Sequence, residues 1–75
     1  MKEYVIDVSK IEELQNLSDT MALDKIFERA QSTIVNGESV KLVRKSSSGV
    51  AEAFDEMTTL EELKSYREQV FKYLL

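Results

Sequence analysis

The 75-residue chain is 43% apolar and 32% charged, carries a formal net charge of −4, and contains no Cys, His, Pro or Trp. That length holds one small domain, and the missing residue types exclude a Cys/His zinc site, a Ser-His-Asp or Cys-His nucleophile, a disulfide framework and any side chain that titrates near neutrality when unperturbed. No basic-then-apolar leader opens the chain and no apolar run approaches the roughly 20 residues that span a bilayer, so residues 1–75 are expected to be a single cytoplasmic domain without cofactor or metal.

Residues 4–8 alternate, with Tyr4, Ile6 and Val8 on one face, which predicts a half-buried strand. Ser9 and Glu12 have the spacing of a capping box, so a short helix is expected from Ser9 to about Leu17, burying Ile11, Leu14 and Leu17. Ser18, Asp19 and Thr20 are three cap-forming residues in a row and predict a second helix starting close to Met21. Its stripe of Leu23, Phe27, Ala30 and Ile34, widened by Ile26, runs to a stop at Asn36-Gly37. Thr33-Ile34-Val35 admits two readings. The stripe favours helix, while β-branching next to Asn-Gly also suits a strand paired with residues 40–42.

Residues 39–45 predict a strand with a basic end, Val40, Leu42 and Arg44 facing one way and Lys41, Val43 and Lys45 the other. Ser46-Ser47-Ser48-Gly49 is a turn, and residues 50–54 return antiparallel. Thr58 and Thr59 each precede a Glu by three residues, so a last helix begins near Leu60, with Leu60, Leu63, Tyr66, Val70, Phe71 and Leu74 on its apolar side. The expected fold is α+β: a three-stranded, mainly antiparallel sheet packed with helices in the order β-α-α-β-β-α.

The acidic pairs Glu12/Glu13, Asp55/Glu56 and Glu61/Glu62 suit the positive ends of helix dipoles better than acid–base work, which needs carboxylates converging in a cleft. No catalytic residue is therefore expected. Only residues 38–54 carry more basic than acidic side chains, through Lys41, Arg44 and Lys45, and with the neighbouring serines they form a candidate phosphate-contacting hairpin end. The last helix ends in Val70, Phe71, Tyr73, Leu74 and Leu75, more apolar surface than one stripe buries on a small sheet. Together with Tyr66 these are candidate partner-binding residues. A core of this size rarely supplies more than roughly 3–5 kcal/mol without staples, so a homodimer is expected.

Specific stretches resemble the prevent-host-death (Phd/YefM-type) antitoxins. Gln15-Asn16-Leu17-Ser18 with Thr20-Met21 resembles the junction of that family's first two helices. Gly37-Glu38-Ser39-Val40-Lys41-Leu42-Val43-Arg44 resembles its Gly-Glu-Pro-Val-x-Ile-Thr-Arg entry into the hairpin, Gly49-Val50-Ala51 its return, and Leu60-Glu61-Glu62-Leu63 its next helix start. The resemblance spans the chain and implies a homodimer formed through the sheet and neighbouring helices. It also implies operator DNA binding by the N-terminal part, residues 1–54, and neutralisation of a cognate toxin by the C-terminal part, residues 55–75. Arg44 matches a family position linked to DNA contact. The family's basic residue in the first helix corresponds to Leu14 here, which leaves Lys10 to serve that helix. A second expectation is an interaction or assembly module that uses the aromatic C-terminal helix and binds no DNA.

Overall fold

In the computed structural model, which describes residues 3–74, the first strand β1 (Glu3–Asp7) runs without a loop into helix α1 (Val8–Asn16). Asp7 makes the junction, its carboxylate accepting from the Ser9 N–H at 2.9 Å. The capping box expected of Ser9 and Glu12 is therefore not formed. Asp7 stands before the first turn and takes the N-cap role, so Val8 enters the helix instead of ending the strand and is buried there. α1 ends at Leu17, which is exposed, and Ser18 takes a left-handed φ of 52° to turn the chain.

Helix α2 (Thr20–Val35) starts with Asp19 accepting from the Ala22 N–H at 3.1 Å. It continues through Thr33, Ile34 and Val35, so that stretch is helix and not strand. Gly37 closes it at φ 82°, with the Gly37 N–H donating to Ile34 O at 2.9 Å and the Glu38 N–H to Thr33 O at 3.0 Å, which satisfies carbonyls of the last turn. The Asn-Gly pair thus ends a helix here and turns no hairpin.

Strands β2 (Ser39–Lys45) and β3 (Ala51–Met57) form the hairpin, and the sheet order is β1-β2-β3. β2 pairs antiparallel with β3 and parallel with β1, so the three-stranded sheet is mixed. The α1–α2 pair is the crossover that a parallel neighbour requires. β3 runs three residues past the expected end at Phe54 because Met57 reaches the core opposite Val40. This places Asp55 and Glu56 on a strand, not in a helical first turn. Helix α3 (Leu60–Lys72) then begins with a full capping box, the Glu62 N–H donating to Thr59 Oγ1 at 3.2 Å and the Thr59 N–H to Glu62 Oε1 at the same distance.

All three helices lie on one face of the sheet, giving the α+β fold in the order β-α-α-β-β-α. Ile6, Val40, Leu42 and Met57 from the sheet meet Ile11, Leu14, Leu23, Phe27, Leu63 and Val70 from the helices in one buried cluster. Each such side chain contributes roughly 1.5–3 kcal/mol through its burial. Among the described residues no helix covers the opposite face. There Val43 is buried among its sheet neighbours, Val5 is exposed, and Lys41 reaches Glu3 at 3.1 Å. Among the described residues no helix is long and apolar enough to cross a membrane.

Candidate functional site

Strand alternation decides what the basic residues can do together. Lys41 projects to the open face of the sheet and pairs with Glu3, whereas Arg44 projects to the helical face, where Glu12 of α1 meets its guanidinium at 2.9 Å. Lys10 is engaged on α1 by Glu13 at 3.7 Å. Lys45 makes no ion pair among the described residues and stands at the mouth of the hairpin loop. The loop is closed by Ser46 N–H donating to Val50 O and Gly49 N–H to Ser46 O, both at 2.9 Å, with the Ser46 and Ser48 hydroxyls 2.7 Å apart. Gly49 supplies the φ of 85° that this closure needs. The four sequence-predicted DNA residues are thus divided. Arg44 and Lys45 are neighbours at one end of the hairpin but alternation turns them to opposite faces, Lys45 sharing the far face with Lys41, and Lys10 is on the adjoining helix. Exposed pairs of this kind are worth about 0–1 kcal/mol, so a phosphate can displace the carboxylates.

The sequence-predicted partner residues also divide. Val70 is buried in the core, and Phe71 and Leu74 are half-buried against it, Phe71 with its ring 6.1 Å from that of Phe27. These three serve the fold, because α3 presents a wider face to α2 and the sheet than a single stripe. Leu75 lies outside the described residues. Tyr73 is 64% exposed, and Tyr66 lies between the core and solvent, its ring 5.7 Å from Phe27.

Tyr66 and Tyr73 line one hollow of about 320 Å³ with Val8, Ile11, Glu12 and Gln15 of α1, Gln69 and Val70 of α3, and Arg44 and Phe54 of the hairpin. Phe54 is 59% exposed and owes its place to a bulge. Leu42 pairs with Asp55 and Val43 with Ala53, leaving Phe54 as the extra residue, and a bulge of this kind re-aims a side chain. Alternation alone puts Phe54 in a regular strand; the bulge is set by the register of β3 against β2. Gln15 ties the two helical walls, its Nε2 donating to Val70 O at 2.9 Å. Burial pushes the Tyr66 hydroxyl up to about 12, with the Glu12 carboxylate adding to the rise and Arg44 opposing it. The hydroxyl therefore remains a neutral donor at any physiological pH. A second hollow, between α2 and α3, is crossed by the Arg67–Asp24 pair at 2.8 Å.

This arrangement offers stacking surface, hydrogen-bond donors and one half-exposed ion pair in a cleft, the equipment of a binding surface. Comparison of the chain with protein-family models, with curated protein sequences and with solved structures gives no significant match.

Proposed function

We propose that the chain is an antitoxin-like binding protein of the cytoplasm, acting without catalysis, which pairs with itself and neutralises a cognate toxin by holding it. The observation that carries this reading is the cluster of Phe54, Tyr66 and Tyr73 around one hollow. Two of these aromatics are largely exposed, and monomeric domains seldom leave such side chains grouped without a partner. The antitoxin assignment is supported by the stretches that resemble prevent-host-death antitoxins, Gly37 to Arg44 leading into β2 and Leu60 to Leu63 opening α3. The open sheet face, with Val5 uncovered, supports self-association.

Operator binding is the second part of the proposal, carried by Arg44 and Lys45 at the hairpin end, with Lys10 on α1 as a further contact, and duplicated in a dimer. The pairing of Arg44 with Glu12 and of Lys41 with Glu3 favours the competing reading, an interaction module that binds no DNA. Co-expression separates them from each other and from no function at all. The product of the reading frame beside this gene should arrest growth alone and cease to do so when this chain is present. Failure of that rescue removes the antitoxin reading, and a gel shift on the upstream DNA of the operon decides whether DNA is bound.

A further inference from the structure

The aromatic hollow is the middle of a longer furrow. Toward α3's first turns it abuts a hollow floored by Leu42 and Met57, sharing Tyr66 and Gln69 with it. Toward the hairpin loop it abuts one beside Lys45 and Ser46, sharing Arg44 and Phe54. The furrow follows the exposed edge strand β3 for its seven residues, roughly 20 Å, which is the length of about six extended residues.

Its charge is one-sided. The carboxylates of Glu12, Glu52, Asp55, Glu61 and Glu62 line it, against the cations of Arg44 and Lys45. Arg44 is matched by Glu12, and Glu62 is occupied at the cap of α3, which still leaves the charges of Glu52, Glu61 and Asp55 against Lys45, Asp55 with one oxygen accepting from the Glu56 N–H at 2.8 Å.

We propose that the furrow between β3 and α3 holds an extended, cationic segment of a partner protein, with one bulky apolar side chain seated among Phe54, Tyr66 and Tyr73 and Lys or Arg residues set against Asp55 and Glu61. The proposal rests on the binding-protein reading and names the chemistry of its partner. A nucleic acid is the wrong occupant here, because phosphates would meet Asp55 and Glu61. A second copy of this chain would bring its own net charge of −4 to the same carboxylates.

The test is selection of a random dodecapeptide library on the purified full chain, followed by affinity measurement of the enriched peptides. Enriched peptides should carry a bulky apolar residue flanked by Lys or Arg, and should bind about tenfold more weakly when salt is raised from about 50 to about 200 mM. Phe54→Ala and Tyr73→Ala remove exposed side chains and leave the core intact, so both variants stay folded by circular dichroism and lose about tenfold in affinity. Glu61→Lys, which spares the cap made by Glu62, should lose a similar factor. Several results overturn the proposal: no enrichment, enriched peptides that are neutral or acidic, binding unchanged in Phe54→Ala, or a dimer of this chain that Phe54→Ala dissociates. If Phe54→Ala fails to weaken the peptides while growth rescue persists, the furrow is wrong and the antitoxin reading stands. Cationic peptides seated on the furrow without any growth rescue mean the reverse: the furrow stands and the antitoxin reading falls.

Discussion

Glu12 of α1 holds Arg44 of β2 at 2.9 Å, with both side chains more than half exposed. The pair joins the sequence's strongest candidate DNA contact to the wall of the aromatic furrow, so the two proposed activities share a residue. A guanidinium with a carboxylate beside it is a weakened phosphate contact that removal of the carboxylate should restore.

Glu12→Gln should accordingly bind operator DNA about threefold to tenfold more tightly at low salt, and its salt dependence should steepen by about one phosphate contact. Arg44→Ala on that background should abolish the gain. Fluorescence anisotropy over a salt series reads both. An unchanged slope would remove Arg44 from the DNA surface.

The end of α3 should separate into fold and function. Phe71→Ala forfeits the ring contact with Phe27 and the Arg67 guanidinium stacked 4.6 Å from the ring centroid, and for a half-buried ring it should cost about 2 kcal/mol in urea unfolding. Tyr73→Ala, at an exposed position, should change stability by no more than about 0.5 kcal/mol and yet weaken partner binding. Equal destabilisation by the two would return Tyr73 to the core.

Tyr66 sets a limit on alkaline stability. Its hydroxyl titrates near 10 unfolded and is pushed up to about 12 in the fold. The unfolded chain therefore releases this proton first as pH rises. Stability is unaffected below about pH 10 and falls between about pH 10 and 12, by no more than about 2 kcal/mol once its partial exposure is discounted. Tyr66→Phe should flatten the unfolding free energy over that window, measured by denaturant titration at successive pH values.

Thr59 and Glu62 should govern the acid side of α3. Thr59→Ala loses the side-chain cap and should cost about 1 kcal/mol. Hydrogen bonds from Thr58 and Thr59 hold the Glu62 carboxyl below its ordinary range. The stability it contributes is thus present above that range and lost as pH falls through the depressed value. The acid limb of a thermal-unfolding profile should be shallower in Thr59→Ala than in the native chain.

The helices and their order are legible in the sequence because each rule behind them is local. The stripe from Leu23 to Ile34 decides Thr33–Val35 over the hairpin signal of Asn36-Gly37, since a buried face is worth several side chains and a turn preference far less. The cap of α1 is misplaced by two residues because Asp7 and Ser9 are both competent, and the choice depends on where β1 lets go. The parallel partner of β1 and the bulge at Phe54 are not legible, as both follow from register across the sheet, which leaves little trace along one strand. For the same reason the sequence does not separate the residues of α3 that the fold uses from those it leaves at the surface: Val70 and Phe71 are claimed by α2 and the sheet, neighbours that periodicity cannot name. Ion pairing is invisible for Arg44, whose partner Glu12 lies 32 positions away.

Above all, the chain is proposed to act by holding a partner protein through the face that contains Phe54, Tyr66 and Tyr73. Calorimetric titration of the purified chain with the purified product of the neighbouring reading frame, run for the native chain and for Tyr73→Ala, examines that proposal without intermediaries. Saturable binding is expected with a Kd below about 1 µM, weakened about tenfold or more by the substitution. No binding at tens of micromolar, or native-strength binding by a folded Tyr73→Ala, would refute it.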